Sequence, residues 1–273
     1  MGVPSWIPKP RARRNRPSAA GVKKHLEQTY GITHVRAADI AEQLFCEKKV
    51  ELRLLHPEIK KGATQLAGLS GHEELAADAR PISRKELNEQ LAAGRRVCLR
   101  ESVFRGKYRG IPIIGKPDLV LFDGMRPLFL VDYKFSAKRE TYPDQRLQVA
   151  LYGMLLQQNK FNVEGLVTII AFVSRSVADG QGERELLRIY GRLRDTALTQ
   201  RRQAMYQDRD VACFAYPFVL AHAKKLLDEQ IDFWLGLRSA VPTKHSRKCS
   251  VCEFNVAGLC ASALTAPSAR DKS

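Results

Sequence analysis

Two short apolar runs that each adjoin an acidic residue constrain this chain more than any other stretch. Leu119–Phe122 and Leu128–Val131 flank the turn Asp-Gly-Met-Arg-Pro, and apolar runs of this length bounded by Gly and Pro predict two paired strands of a buried sheet. Asp118 precedes the first run and Asp132 follows the second. Because a buried carboxylate is costly unless it is paired or bound to a cation, the pattern predicts more than a plain hydrophobic core.

A lysine strengthens this prediction. Lys134 lies two residues after Asp132, and the alternation of a strand places both side chains on the same face. Two carboxylates and an ammonium on neighbouring strands predict a divalent-metal site with a lysine beside it. The alternative left open by these residues alone is a surface hairpin with ordinary turn and edge residues, since Asp-x-Lys is a common tripeptide.

The net charge narrows the class of partner. The chain has 273 residues and a formal charge of +16, which makes a polyanion the expected partner. No apolar run approaches the roughly 20 residues that a membrane helix needs, and the basic N-terminus has no apolar stretch typical of a secretion signal. We therefore expect nucleic acid rather than a membrane as the partner, and a cytoplasmic location.

Periodicity and composition predict one globular domain between two tails. Residues 1–20 form a basic, proline-interrupted tail that we expect to be disordered in isolation, residues 21–262 form a single domain, and residues 263–273 form a second tail. The predicted helices cover Ala37–Leu55, Gln65–Ala79, Ser83 to Ala93, Thr141 to Asn159 (with Thr141 opening a capping box) and Phe218–Leu237. The predicted strands cover Arg96–Phe104, Ile111–Ile114, Leu166–Ser174 and Glu185–Arg192.

Six cysteines without a secretion signal indicate a reducing compartment, where clustered cysteines bind metals more often than they form disulfides. Three of them form the pattern Cys249-x2-Cys252-x7-Cys260, and Cys46 lies far upstream. This spacing permits zinc as readily as iron. Taken alone, Cys46 is more typical of a small core residue, and we expect Cys98 and Cys213 to be core residues as well.

The segment Gly110–Lys116 imitates a phosphate-binding loop without its chemistry. Pro117 stands where that loop needs Ser or Thr for magnesium, and the segment leads into a strand, whereas the loop must open a helix. ATP binding is therefore not expected here.

Taken together, six residues form a constellation in the order helix, strand, strand, helix: His72, Asp118, Asp132, Lys134, Gln148 and Tyr152. The Asp118…Asp132-x-Lys134 pattern resembles the signature of PD-(D/E)XK nucleases. The preceding Leu69-Ser70-Gly71-His72 and the following Gln148-x3-Tyr152 resemble the RecB-like branch of that family. With the four cysteines, the chain is similar to the iron–sulfur nucleases, which include the CRISPR-associated RecB-type exonucleases and exonuclease V.

This resemblance implies a fold and a set of roles. The fold is α/β, with a central mixed sheet flanked by helices and a helical iron–sulfur lobe built from residues 35–60 and 240–262. The implied ligands of Mg²⁺ or Mn²⁺ are His72, Asp118, Asp132 and the backbone carbonyl of Tyr133. Lys134 would orient the attacking water or stabilise the developing charge, and Gln148 and Tyr152 would hold the lysine and the nucleic acid in register. A 4Fe–4S cluster would be held by Cys46, Cys249, Cys252 and Cys260.

The implied activity is metal-dependent exonucleolytic hydrolysis of single-stranded DNA, in the 5′ to 3′ direction by analogy. Spacer acquisition in CRISPR immunity and DNA repair or recombination are both open, with CRISPR integration proteins or a helicase as protein partners. Glu47 departs from the CRISPR-associated members, which often have a proline after the first cysteine. The alternative from another class is a non-catalytic nucleic-acid-binding protein whose cysteines hold structural zinc.

Overall fold

The structure is a computed structural model, and it describes residues 17–59, 82–136, 139–173 and 183–264. The helices in this part of the chain are α1 (Ala19–Tyr30), α2 (Ala37–Leu55), α3 (Arg84–Ala92), α4 (Pro143–Gln158), α5 (Glu183–Gln200), α6 (Leu220–Trp234), α7 (Ser246–Ser250) and α8 (Glu253–Val256). The strands are β1 (Val35–Arg36), β2 (Arg96–Arg100), β3 (Phe104–Tyr108), β4 (Ile111–Gly115), β5 (Leu119–Asp123), β6 (Arg126–Lys134), β7 (Val167–Val173), β8 (Ala204–Gln207) and β9 (Val211–Pro217).

A six-stranded mixed sheet forms the centre of the molecule, with strand order β2-β5-β6-β7-β9-β8. The pairing of β6 with β7 is parallel, and the other neighbours are antiparallel. A smaller sheet, β1-β4-β3, packs beside it. The predicted α/β architecture with a mixed sheet and flanking helices is confirmed.

Strand alternation divides the residues of β5 and β6 between two cores. Val120, Phe122 and Leu130 belong to the larger core, on the face where α4 packs. Leu119 and Val131 belong to the smaller core, on the face covered by α5. From Leu130 to the end of β6, and from the start of β5 to Phe122, the even-numbered positions therefore face α4, and Asp118, Asp132 and Lys134 follow the same parity.

Two glycines let α4 approach its neighbours closely. A Cβ atom added to Gly115 would lie 2.7 Å from Cδ1 of Tyr152, and one added to Gly153 would lie 2.6 Å from the Phe218 ring. A larger residue at Gly115 would push α4 away from β4, and one at Gly153 would push it away from Phe218. The close packing of α4 against β4 and Phe218 thus requires glycine at both positions.

Most predicted elements are confirmed, but one strand is wrong. Residues 185–192 lie within the helix α5. The buried residues of α5 recur at intervals of three and four, which is the period of a helix that covers a sheet with one face. They are Leu186, Ile189, Tyr190, Leu193 and Ala197.

Two smaller predictions are also corrected. Thr141 does not open a capping box, because its hydroxyl contacts the Tyr216 hydroxyl at 2.7 Å. Tyr142 is the residue before α4, and its N–H donates to Gln145 Oε1 at 3.0 Å. Residues 96–104 form two strands, broken after Arg100, rather than one.

Of the two cysteines predicted to be core residues, Cys213 is fully buried and Cys98 is exposed. Cys98 lies on the edge strand β2, where alternate side chains face solvent.

The remaining predicted elements and tails fall outside the described residues. They are residues 1–16 of the predicted tail 1–20 (whose last two residues lie in α1), the helix Gln65–Ala79 with His72, and most of the C-terminal tail. Among the helices that the structure describes, none is long and apolar enough to cross a membrane.

Candidate active site and cysteine pocket

Two acidic residues face each other where β5 begins and β6 ends. Leu119 pairs with Val131 in the antiparallel register, so the next pair outward is Asp118 and Asp132. Directly opposed residues of an antiparallel pair point to the same face. Asp118 is 9 % exposed and Asp132 is 2 % exposed, and the backbone N–H of Tyr133 donates to Asp118 Oδ2 at 2.5 Å. The structure thus brings two buried carboxylates together, as the sequence pattern indicated.

Lys134 completes the charged group. Its Nζ lies 2.6 Å from Asp132 Oδ2, and its side chain is 23 % exposed. Burial alone would lower the pKa of Lys134, but the Asp132 carboxylate outweighs it and Asp118 adds to the effect, so the pKa is raised above its usual value. The ammonium therefore remains charged at neutral pH and lies between the acids and solvent.

Gln148 connects the acid, the lysine and a tyrosine. Its Nε2 donates to Asp132 Oδ1 at 3.1 Å and to the Tyr152 hydroxyl at 2.7 Å, and its Oε1 accepts from Lys134 Nζ at 3.4 Å. Gln148 and Tyr152 lie one turn apart on α4, hence on the same face of the helix. Burial next to Asp132 raises the pKa of Tyr152 well above 10, so its hydroxyl remains protonated.

One atom of this group is left with an unmet hydrogen-bonding capacity. Asp132 Oδ2 is buried and accepts no hydrogen bond of good geometry from the described part of the chain, although it lies close to the Lys134 ammonium. Buried carboxylate oxygens are hard ligands of the kind that Mg²⁺ and Mn²⁺ take. The donor set therefore fits a divalent cation held by Asp118 and Asp132.

The other two predicted metal ligands remain predictions. His72 lies outside the described residues. Tyr133 contributes its N–H to Asp118, while its side chain packs in the core on the opposite face of the sheet. Among the residues that the structure describes, no three His, Cys, Asp or Glu side chains are grouped so as to hold one metal ion. The geometry thus provides two acids and leaves the remaining ligands to be tested.

Sequence reasoning missed a third acid beside this pair. Glu101 follows β2, and its N–H donates to the Asp118 carbonyl at 3.1 Å. It forms an ion pair with Lys116, which lies two residues before Asp118. The signal that could have found it is strand pairing, because Arg100 pairs with Leu119 and the next residues outward are Glu101 and Asp118.

The comparison with protein families agrees with this geometry. The family model of the PD-(D/E)XK nuclease superfamily matches residues 22–257, which is most of the chain. The chain belongs to the PD-(D/E)XK nuclease superfamily. A search of curated proteins finds no significant match. Members of the PD-(D/E)XK superfamily are metal-dependent nucleases, and the match contains both acids, Lys134, Gln148 and Tyr152.

The PD-(D/E)XK match also contains Cys46, Cys249 and Cys252, and it ends just before Cys260. These four cysteines line one pocket. Lys49 and Lys248 line the same pocket, and their ammonium groups lie 5.3 and 4.4 Å from the centre of the Phe45 ring. All four cysteines that the resemblance grouped thus line this pocket, although no three of the described His, Cys, Asp or Glu side chains are placed to hold one metal ion.

A break in α2 aims Cys46 at this pocket. Cys46 has the extended dihedrals φ −170° and ψ 114° within an otherwise helical segment, and the Thr243 N–H donates to its Sγ at 3.4 Å. Just before the break, Lys248 Nζ donates to the Phe45 carbonyl at 3.2 Å. This bond satisfies a backbone carbonyl at a point where helical bonding is interrupted.

Glu47 holds the C-terminal segment against α2, and we call its set of contacts the Glu47 clamp. Glu47 is 6 % exposed. Its carboxylate accepts hydrogen bonds from both terminal nitrogens of Arg238, with Nη2 at 2.5 Å. It also accepts from the Val241 N–H at 2.8 Å and from Gln43 Nε2 at 3.2 Å. Glu47 thus ties together the two chain segments around the cysteines.

Proposed function

We propose that this chain is a metal-dependent exonuclease that hydrolyses the phosphodiester bonds of single-stranded DNA. The observation that carries the proposal is Asp132 Oδ2, a buried carboxylate oxygen opposite Asp118 that accepts no well-directed hydrogen bond from the described residues and lies 2.6 Å from the Lys134 ammonium. Superfamily membership supports nuclease activity, while the single-stranded DNA substrate and the attack from an end rest on the RecB-like motifs.

Asp118 and Asp132 would hold Mg²⁺ or Mn²⁺, with His72 and the Tyr133 carbonyl as proposed further ligands. When bound, the ion supplies positive charge that neutralises the scissile phosphate and favours deprotonation of water. The chain itself supplies the Lys134 ammonium, which faces the place where negative charge develops during phosphoryl transfer. Gln148 keeps the lysine and Asp132 in a fixed relation, and Tyr152 acts as a neutral hydroxyl that anchors Gln148.

The decisive experiment compares site variants on labelled single strands with Mn²⁺, with Mg²⁺ and with a chelator. Asp118→Asn and Lys134→Ala should each lower the rate of cleavage by about 10²–10³-fold or more, because each removes charge that acts on the transition state. Asp123→Asn is the matched control, since it lies on the same strand at the exposed end. DNA binding should change little in all three variants. Cleavage by Lys134→Ala at the wild-type rate would mean that the site is misassigned.

The mode of attack is tested with the same protein. An exonuclease should degrade linear strands and spare a circular single strand. Comparison of strands labelled at the 5′ end with strands labelled at the 3′ end gives the polarity, which we propose to be 5′ to 3′. Cleavage of the circle would identify an endonuclease and contradict the proposal.

We further propose that Cys46, Cys249, Cys252 and Cys260 hold a 4Fe–4S cluster. The support is their shared pocket, which Lys248 also lines. Zinc and iron both bind thiolates, and the choice of a cluster over zinc rests on the resemblance to iron–sulfur nucleases.

The alternative is a non-catalytic nucleic-acid-binding protein with structural zinc. It requires that Asp118 and Asp132 have no role beyond capping strands, which does not account for two opposed carboxylates buried beside Lys134. Among biological roles, we propose spacer acquisition in CRISPR immunity or DNA repair, in a cytoplasmic setting and with an integration protein or helicase as partner. The genes next to this one would separate the two roles.

A further inference from the structure

An exposed ion pair borders the candidate active site. Lys116 lies two residues before Asp118, its side chain is 54 % exposed, and its Nζ pairs with the carboxylate of Glu101, whose side chain is 20 % exposed. The hydrogen-bonding scheme proposed for catalysis uses neither residue. An exposed lysine held at the edge of a group of acids is a feature that a polyanionic substrate would meet first.

Both members of the pair are attached to the site through the backbone. Glu101 donates its N–H to the Asp118 carbonyl at 3.1 Å, and its φ of 49° lies in the left-handed region that residues other than glycine rarely adopt. Lys116 follows Gly115, whose Cα is covered by the Tyr152 ring. Glu101 also contributes, with Asp132 and Asp118, to raising the pKa of Tyr152. The pair therefore lies beside the site rather than elsewhere on the surface.

The charges of this region present a difficulty for a nucleic-acid substrate. Asp118, Asp132 and Glu101 repel a phosphate backbone, and the Lys134 ammonium is already engaged by Asp132. The Lys116 ammonium is more than half exposed, and solvent weakens an ion pair with an exposed member, so a phosphate can replace the carboxylate as its partner.

We propose that Lys116 is a substrate-binding residue that contacts a backbone phosphate beside the scissile one, and that Glu101 holds its ammonium at this rim until the strand arrives. The inference rests on the proposed nuclease function, since it assigns the path of the strand into that site. Glu101 then acts through Lys116: it pairs with the free ammonium, competes with the phosphate for it and does not contact the substrate.

The test measures the binding of a fluorescent single-stranded oligonucleotide without divalent ions, so that cleavage does not interfere. Wild type, Lys116→Ala, Lys116→Arg and Glu101→Gln are each titrated at several salt concentrations. Lys85→Ala is the matched control, because Lys85 is an exposed lysine in an ion pair with Glu89. Lys85 is also far from the candidate site. Its neighbour Arg84 contacts Asn159, and Asn159 follows α4 roughly 16 Å along the helix axis from Gln148.

Counterion release predicts how strongly the salt dependence of binding should change. Loss of one phosphate contact on a single strand makes the slope of log K against log salt shallower by about 0.7. The binding deficit of Lys116→Ala should therefore be about 2.6-fold smaller at 200 mM salt than at 50 mM. Lys116→Arg should restore the wild-type slope. Glu101→Gln should keep that slope and bind more tightly, because a repelling charge is removed and the ammonium is released.

The outcomes separate this inference from the proposed function. If wild type binds single strands and Lys116→Ala has an unchanged slope, or if Lys85→Ala loses as much slope, the inference is overturned. Absence of binding by wild type at 50 mM salt overturns it as well. A wild type that binds but shows no metal-dependent degradation contradicts the proposed nuclease, and the slope of Lys116→Ala still decides whether Lys116 contacts a phosphate.

Discussion

Gln148 shows how much of the candidate site depends on one uncharged side chain. Its amide contacts Asp132, Lys134 and Tyr152 simultaneously. Without these contacts, the lysine and the acid would still attract each other, but neither would be fixed in orientation. A side chain that orients charged neighbours without reacting typically affects catalysis more than binding.

We therefore expect Gln148→Leu to lower cleavage by about 10–100-fold while DNA binding changes less than about threefold, which is the range seen when partners of metal ligands are removed. The control is Gln157→Leu, an exposed glutamine on the same helix. Steady-state cleavage rates and oligonucleotide binding are measured for both variants. Equal activity of the two would show that Gln148 has no positioning role.

Lys134 and Tyr152 differ in how far their chemistry could be predicted. Strand parity alone places Lys134 beside Asp132, and the structure has them 2.6 Å apart. The protonation of Tyr152 depends on burial under α4 next to Asp132, which no local pattern reveals. Glu101 was missed for the same reason, because its place beside Asp118 follows from the pairing of β2 with β5 rather than from its neighbours in the chain.

At the scale of elements, α2 shows most clearly how long-range contacts can interrupt a helix that the local sequence pattern predicts to be continuous. The sequence predicts one helix over Ala37–Leu55, and the boundaries are right, but the chain is extended at Cys46. At the break, Lys248 donates to the Phe45 carbonyl and the Thr243 N–H donates to the Cys46 sulfur, and both partners come from the far end of the sequence. Periodicity carries no information about partners so distant.

The contribution of the Glu47 clamp to stability can be measured. Glu47→Ala should lower the free energy of unfolding by about 3 kcal/mol, because it leaves Arg238 without its carboxylate and the Val241 N–H without an acceptor. Glu27→Ala is the control, since its pair with Lys23 is exposed and should contribute less than about 0.5 kcal/mol. Urea unfolding followed by circular dichroism gives both values. A clamp variant as stable as the control would contradict this account.

The wrong strand at residues 185–192 has a different cause. The buried positions of α5 have a helical period, but charged residues between them imitate the alternation of an edge strand. A window that extends to Ala197 resolves the ambiguity, because the apolar positions then fit a helix and not a strand. Element type was thus readable here, and the error came from the length of the window.

At the scale of the whole molecule, the cysteine pocket joins the two ends of the domain. Cys46 and Cys249 lie 203 positions apart (249 − 46), and the Glu47 clamp spans a similar interval. The pocket walls are therefore held by contacts of the chain itself, and a metal group bound to the cysteines adds a further closure of a long loop. Only the resemblance to iron–sulfur nucleases could indicate this grouping from sequence, because no local pattern connects such distant cysteines.

The cysteine assignment leads to a prediction for the whole protein purified without oxygen. Wild type should be brown and contain iron and sulfide, and Cys46→Ser, Cys249→Ser, Cys252→Ser and Cys260→Ser should each lose iron and the broad visible absorption. Cys98→Ser is the control and should retain both, since Cys98 lies on the edge strand β2 outside the pocket. Because the Glu47 clamp does not involve the thiols, the four variants should keep the helical signal of the wild type in circular dichroism. A colourless wild type with stoichiometric zinc would contradict the cluster. The proposed nuclease activity would still be tested separately by the Asp118 and Lys134 variants.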